Sequence, residues 1–225
     1  MKKNILVIVA HPDDETIGCG GTIIKHVKSG DKVYLISFTD GVTSRKESKK
    51  IDQVKRKNSS IKAAKALGAN WLAQGEFLDN RLDNYSLIEL VQFLEELKIK
   101  FEPDIIYTHN GSDLNIDHRK VFEAVLVAYR PLPNMRLKEI RSFEIASSTE
   151  YSYRDLVNVF SPNLFISIED SWKQKLKALK CYNQEIRKYP HPRSYKSIEN
   201  LAKYRGSAAG IKMAEAFSIV RKIEK

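Results

Sequence analysis

Apolar residues along the chain follow two rhythms: short unbroken runs rich in β-branched residues, and longer stretches in which they recur every three or four positions. The first run, residues 5 to 10 (ILVIVA), is continuous, as expected of a strand covered on both faces in a parallel sheet. It stops at His11. Pro12 turns the chain there, because proline has no backbone N–H and disfavours helix at the residue before it. A helix is predicted over residues 16–28, a strand over 32–38, a helix over 51–67 closed by Gly68, and a short strand near Trp71. Leu87, Leu90, Val91, Leu94 and Leu97 mark the inner stripe of a helix between residues 85 and 101. A strand over 104–108 and a helix over 120–129 repeat the alternation. Strands over 139–146 and 163–168 follow, then a long amphipathic helix over 169–188 that ends in the Pro-rich stretch 189–194. Regular strand and helix alternation to residue 130 predicts a three-layer α/β/α sandwich with a mostly parallel, Rossmann-like sheet. Residues 1–225 are expected to form a single domain.

In such a fold, ligands bind at the C-terminal ends of strands. His11-Pro12-Asp13-Asp14-Glu15 stands at that place after the first strand, and His118 opens a helix after the strand over 104–108. A histidine and a carboxylate three residues apart on a tight turn can reach one metal ion, and a catalytic zinc takes a third, usually remote, protein ligand. His118 supplies it. A second carboxylate beside a metal-bound water suits a general base, but spacing does not tell Asp13 from Asp14. Asp117 suits a supporting role at the same helix start. The plainer alternative is that His11 is an ordinary buried histidine and the acids cap the following helix. A dinucleotide loop is a poor match: Gly18, Gly20 and Gly21 lack the G-x-G-x-x-G spacing, and three acids occupy the place of a pyrophosphate.

Composition narrows the partners. Lys and Arg number 38 against 28 Asp and Glu, a net charge of +10, which favours anionic ligands. Much of the excess lies in residues 45–65, read as a basic loop and a solvated helix face. No nucleic-acid motif accompanies it, and nucleic acid is not expected as a partner. No apolar run is long enough to span a membrane, and the start lacks a signal-peptide cleavage region. Two cysteines, Cys19 and Cys181, fit a reducing compartment; a cytoplasmic protein is expected.

The stretch Ala10 to Glu15, A-H-P-D-D-E, resembles the first motif of the PIG-L/LmbE-like zinc-dependent N-acetylglucosaminyl deacetylases. The resemblance extends over most of the chain, including its closing segment, residues 205–221. It implies His11, Asp14 and His118 as ligands of zinc, with Fe²⁺ or another divalent ion as alternatives, and Asp13 as general base. It further implies Asp117 as a catalytic partner, and Arg45 and Asp79 as contacts to the sugar. The implied reaction is removal of the acetyl group from an N-acetylated sugar or sugar conjugate, for which the basic balance favours a phosphate- or nucleotide-linked substrate. Closed homo-oligomers are common in the family. One departure bears on the chemistry: many members read H-P-D-H where this chain reads Asn115-Ile116-Asp117-His118. Asn115 can donate a hydrogen bond to substrate or oxyanion but cannot deliver a proton. Asp13, His109 and His191 are the remaining proton donors, His191 lying on a Pro-rich element that could act as a lid over an anionic sugar. An amidase acting on a sugar conjugate and a non-catalytic nucleotide- or sugar-binding protein of the same fold are the competing readings.

Overall fold

The computed structural model describes residues 2–45, 47, 49–152 and 159–224. Strand β1 (Asn4–Val9) runs up the middle of a seven-stranded sheet ordered β3-β2-β1-β4-β5-β7-β6. Its neighbours β2 (Lys32–Thr39) and β4 (Ile105–His109) pair with it in parallel, and β3 (Asn70–Phe77) and β5 (Glu139–Phe143) extend the parallel set outward. Because β1 is paired on both edges and covered on both faces, Ile5, Leu6, Val7, Ile8 and Val9 are all 0% exposed. Each such side chain contributes about 1.5–3 kcal/mol of transfer free energy, so β1 is firmly anchored in the sheet.

The pleat divides that burial between two layers. Ile5, Val7 and Val9 pack with α1 (Asp14–Lys28), α2 (Lys50–Leu67) and α5 (Trp172–Cys181). Leu6, Ile8 and Ala10 pack on the other face with α3 (Leu87–Lys98) and α4 (Ile116–Ala128). The five parallel strands and two helical layers are the expected sandwich. Strand order reverses between β1 and β4, which opens a crevice at their C-terminal ends.

The last third differs from the sequence reading. The helix expected over 169–188 is only α5, ending at Cys181, because Tyr182 and Glu185 turn inward to bond Glu15 and Arg56. A further helix, α6 (Tyr195–Ser207), and a strand, β7 (Ala214–Lys222), complete the chain. β7 runs antiparallel between β5 and β6 (Leu164–Ser167), so the sheet is mixed at this edge. Among the described residues, no helix is long and apolar enough to cross a membrane.

Ile8→Ala, which opens a cavity under α3 and α4, is expected to lower unfolding free energy by about 2–5 kcal/mol. Ile61→Ala, at a position 51% exposed, is expected to change it by less than about 0.5 kcal/mol. Denaturant titration of the two variants checks the contrast.

Candidate metal centre

The chain leaves β1 through a turn held from several sides. The Ala10 N–H donates to Nε2 of His109 at the end of β4 (2.9 Å), and the Thr39 hydroxyl at the end of β2 donates to the Ala10 carbonyl (3.0 Å). The His11 N–H donates to Asp14 Oδ2 (3.0 Å) and the Asp13 N–H to Glu15 Oε2 (2.9 Å). Asp13 takes φ 144°, ψ −28°, a strained backbone for a residue with a side chain, of the kind that clusters at functional sites.

The turn brings His11 and Asp14 to His118, the third residue of α4's first turn. His11 Nδ1 lies 3.1 Å and His118 Nε2 3.4 Å from Asp14 Oδ2, and one ligand atom from each residue falls within 4.8 Å of the others. All three are buried. The opposite ring nitrogens are occupied by other carboxylates: His11 Nε2 by Asp79 (3.1 Å) and Asp117 (3.2 Å), His118 Nδ1 by Asp113 (3.2 Å). This is the arrangement in which an outer carboxylate orients a metal-ligating histidine.

A second grouping, His11 with Asp79 and Asp117, is equally compact, but its oxygens are already engaged. Asp117 accepts the N–H groups of Asn80 (2.7 Å) and Leu82 (3.0 Å), and Asp79 accepts the Ser44 hydroxyl (2.6 Å). Asp14 Oδ1, in contrast, is buried without a hydrogen-bond partner, and both ring nitrogens of His118 meet only carboxylates at ion-pair distance, Asp113 on one side and Asp14 on the other. Buried polar atoms in native proteins are rarely left so. The donor set of two imidazoles and a carboxylate suits a zinc-like cation, and the first grouping fits one.

Electrostatics are consistent with that place for a cation. Burial disfavours charge on His11, yet its bonds with Asp117, Asp14 and Asp79 outweigh burial and hold its pKa well above the usual histidine value. Burial likewise opposes ionisation of Asp14, but His118 and His11 hold it well below the carboxylate range. His109 goes the other way. Burial and the neighbouring His118, stacked on it at 3.9 Å, push its pKa well down, and its Nε2 accepts a backbone N–H, so it is a neutral ring without a proton to give at that atom.

Asp13 is 2% exposed and its Oδ2 has no hydrogen bond. Two guanidinium groups flank it, Arg56 Nη1 and Arg193 Nη1, each 3.5 Å from Oδ2. Burial raises the Asp13 pKa while Arg56 opposes it. Glu185 Oε1 ties Arg56 (2.5 Å) to Arg45 (2.6 Å), so Arg45 stands at the outer rim of this cluster. Glu15 lies beneath, its carboxyl pushed by burial to about 7 and bonded by Thr16 and Tyr182.

Asn115 caps α4, accepting the Asp117 N–H (2.8 Å) and donating to Asn80 Oδ1 (3.1 Å). His191 is exposed and accepts its neighbour's Arg193 N–H (3.0 Å); Arg193 is the residue of the Pro-rich segment that reaches Asp13. Arg56, Asp113 and Glu185 are not singled out by the sequence, which points to Arg193 only as part of a lid segment and to Tyr182 only as an inward-facing helix residue. Arg56 sits in a basic run that reads as a solvated face, and only its burial, 5% exposed, separates it from the rest. A cavity of about 460 Å³ adjoins the site, sharing Pro12 and Arg56 and lined also by Asp40, Gln53 and Phe77.

The family model described as GlcNAc-PI de-N-acetylase (PIG-L) matches residues 6–129. The chain is 30% identical over 191 residues to the uncharacterized deacetylase YaiS of Escherichia coli, spanning 80% of this chain and 90% of that one. It is 28% identical to the diacetylchitobiose deacetylase of Thermococcus kodakarensis over 97% of this chain and 83% of the other. The structure of the N,N′-diacetylchitobiose deacetylase of Pyrococcus horikoshii shares the fold, with a TM-score of 0.77 at 24% identity over 97% of this chain and 84% of that one.

Asp113 holds His118 in place while accepting the hydroxyls of Ser148 and Thr149. Burial alone would raise its pKa, but the pairing with His118 and the two hydroxyls hold it at about 2. Asp113→Asn is expected to weaken binding of a divalent metal ion by about 10–100-fold without unfolding the protein, as read by competition with a metal indicator.

Proposed function

This chain belongs to the PIG-L family, and we propose that it is a zinc-dependent deacetylase acting on an N-acetylglucosamine-type sugar or sugar conjugate. One observation supports the metal assignment: His11 Nδ1 and His118 Nε2 both face the buried Asp14 carboxylate at the ends of β1 and β4, and its Oδ1 has no hydrogen-bond partner. His11, Asp14 and His118 would hold the ion, with Asp117 and Asp113 orienting the two rings. When bound, a divalent cation there polarises the amide carbonyl and lowers the pKa of a bound water to about 7.

Asp13 does the proton work. Its unpartnered oxygen, one residue from Asp14, takes a proton from the attacking water and returns it to the leaving amine. The bond that forms is from water oxygen to the carbonyl carbon; the bond that breaks is carbon to nitrogen, giving acetate and an amino sugar. The same group serves both steps because His109 offers no proton at Nε2, Asn115 cannot deliver one, and His191 faces solvent. Burial leaves the Asp13 pKa raised while Arg56 and Arg193 limit that rise, which suits a group that takes a proton and gives it back. In this reading Asp79 and Asn115 would contact the sugar by exchanging their present partners for its hydroxyls, and Arg45, at the rim, suits an anionic group on the aglycone. The excess of basic residues supports a phosphate- or nucleotide-linked substrate in this reading.

Asp13→Asn is expected to keep about one zinc per chain and lose turnover by about 10²–10⁴-fold. Asp14→Ala and His118→Ala are expected to lose both. Elemental analysis paired with release of free amine from N-acetylglucosamine derivatives checks the set. An Asp13→Asn protein that loses the metal would reverse the roles of the two aspartates, and one that keeps full function would favour a non-catalytic sugar-binding protein.

A further inference from the structure

Helix α1 starts at the metal turn and is not continuous. Cys19 leaves helical geometry at φ −143°, ψ 20°, which divides the helix into a short piece, residues 14–18, and a longer piece, residues 20–28. The short piece begins with Asp14. A helical segment of so few residues has almost no stability of its own, so its direction is set by whatever grips it from outside.

One buried ion pair from the last third of the chain fills the break. Lys175 of α5 donates to the Ile17 carbonyl (2.8 Å), at the C-terminal end of the short piece, and to Glu215 Oε1 of β7 (2.7 Å). Glu215 accepts the Gly21 N–H at Oε1 (2.8 Å) and the Thr22 N–H at Oε2 (2.7 Å), at the N-terminal end of the longer piece. A cation at a helix C-terminus and an anion at a helix N-terminus are each favourable, and here they meet in the same gap. Lys175 is 2% exposed and Glu215 5%. The gap is shaped for them: a Cβ on Gly21 would lie 2.6 Å from Ile168 Cγ2 and 3.1 Å from Glu215 Oε1. Helix α5 grips the short piece a second time, where Tyr182 just past its end donates to Glu15 Oε1 (2.9 Å).

Well-packed apolar residues often stabilise a core as much as a buried ion pair does, so stability alone gives little reason for Lys175 and Glu215. We propose that the Lys175–Glu215 pair is a positioning device for the metal centre: by capping both sides of the break, it sets the direction of residues 14–18 and with it the carboxylates of Asp14 and Asp13. Both residues lie outside residues 6–129, the part matched by the family model. The inference rests on the metal reading above and adds to it two positioning residues that touch neither metal nor substrate.

The test uses Co²⁺, whose visible absorption reports ligand geometry, titrated into metal-free full-length protein. Lys175→Met combined with Glu215→Gln removes both charges together, leaving neither buried alone. This double variant is expected to bind Co²⁺ about tenfold or more weakly, with shifted and altered absorption bands. Leu94→Ala, a core truncation in α3 far from the break in sequence, serves as the control for lost stability and is expected to keep the wild-type spectrum. Glu215→Asp, which keeps the charge but withdraws it from the Gly21 and Thr22 amides, is expected to move affinity and spectrum in the same direction, and it decides the matter if the double variant does not fold. Wild-type affinity and spectrum in a folded double variant, or in Glu215→Asp, overturn the positioning role and leave the metal reading intact. No Co²⁺ binding by the wild-type protein overturns the metal reading itself.

Discussion

Carboxylates and imidazoles withdrawn from water at the ends of two neighbouring strands cannot stand alone, because a buried charge persists only when it is paired and hydrogen-bonded. His11, Asp13, Asp14, Asp117 and His118 are all under 9% exposed, and most of the surrounding structure satisfies that requirement. Asp117 and Asp113 meet the outer nitrogens of His11 and His118, and backbone amides or hydroxyls then donate to those carboxylates. Two arginines stand against Asp13. Asp14 Oδ1 and His118 Nε2 keep no hydrogen-bond partner of their own, and they belong to the compact group of two imidazoles and a carboxylate that a cation would fit.

The fold supplies the rigidity this needs. β1 is immobilised on both faces and both edges, and the ladder to β4 fixes His11 relative to the loop that leads to His118. The order reversal between β1 and β4 opens the crevice at their ends. The later elements then close on the first motif. Tyr182 and Arg193 reach Glu15 and Asp13 directly, Glu185 reaches Arg56 beside Asp13, and Lys175 of α5 and Glu215 of β7 bond the helix that the motif opens. In the proposed reading the N-terminal half carries the metal ligands and the C-terminal third packs against the elements that hold them.

That division explains what was legible in the sequence. The β1 run and the H-P-D-D-E turn are local patterns, and strand and helix alternation to residue 130 announces the layers. His118 was readable because its strand end repeats the geometry of the first. α6 and β7 were not read as elements, since β7 is placed by pairing with β5 and β6 rather than by its own periodicity. The helix over 169–188 was drawn too long because its apolar spacing continues while tertiary bonds pull Tyr182 and Glu185 into the site. Lone residues such as Asp113, Arg56 and Glu185 carry no local signature; each acquires its place only when distant segments meet.

The most direct measurement is the metal content of the protein purified without chelator, paired with amine release from N-acetylglucosamine derivatives before and after chelation. About one zinc per chain, with amine release that chelation abolishes and zinc restores, is the expected result. A chain that holds no divalent metal and releases no amine after zinc or iron is supplied contradicts a metal-dependent deacetylase.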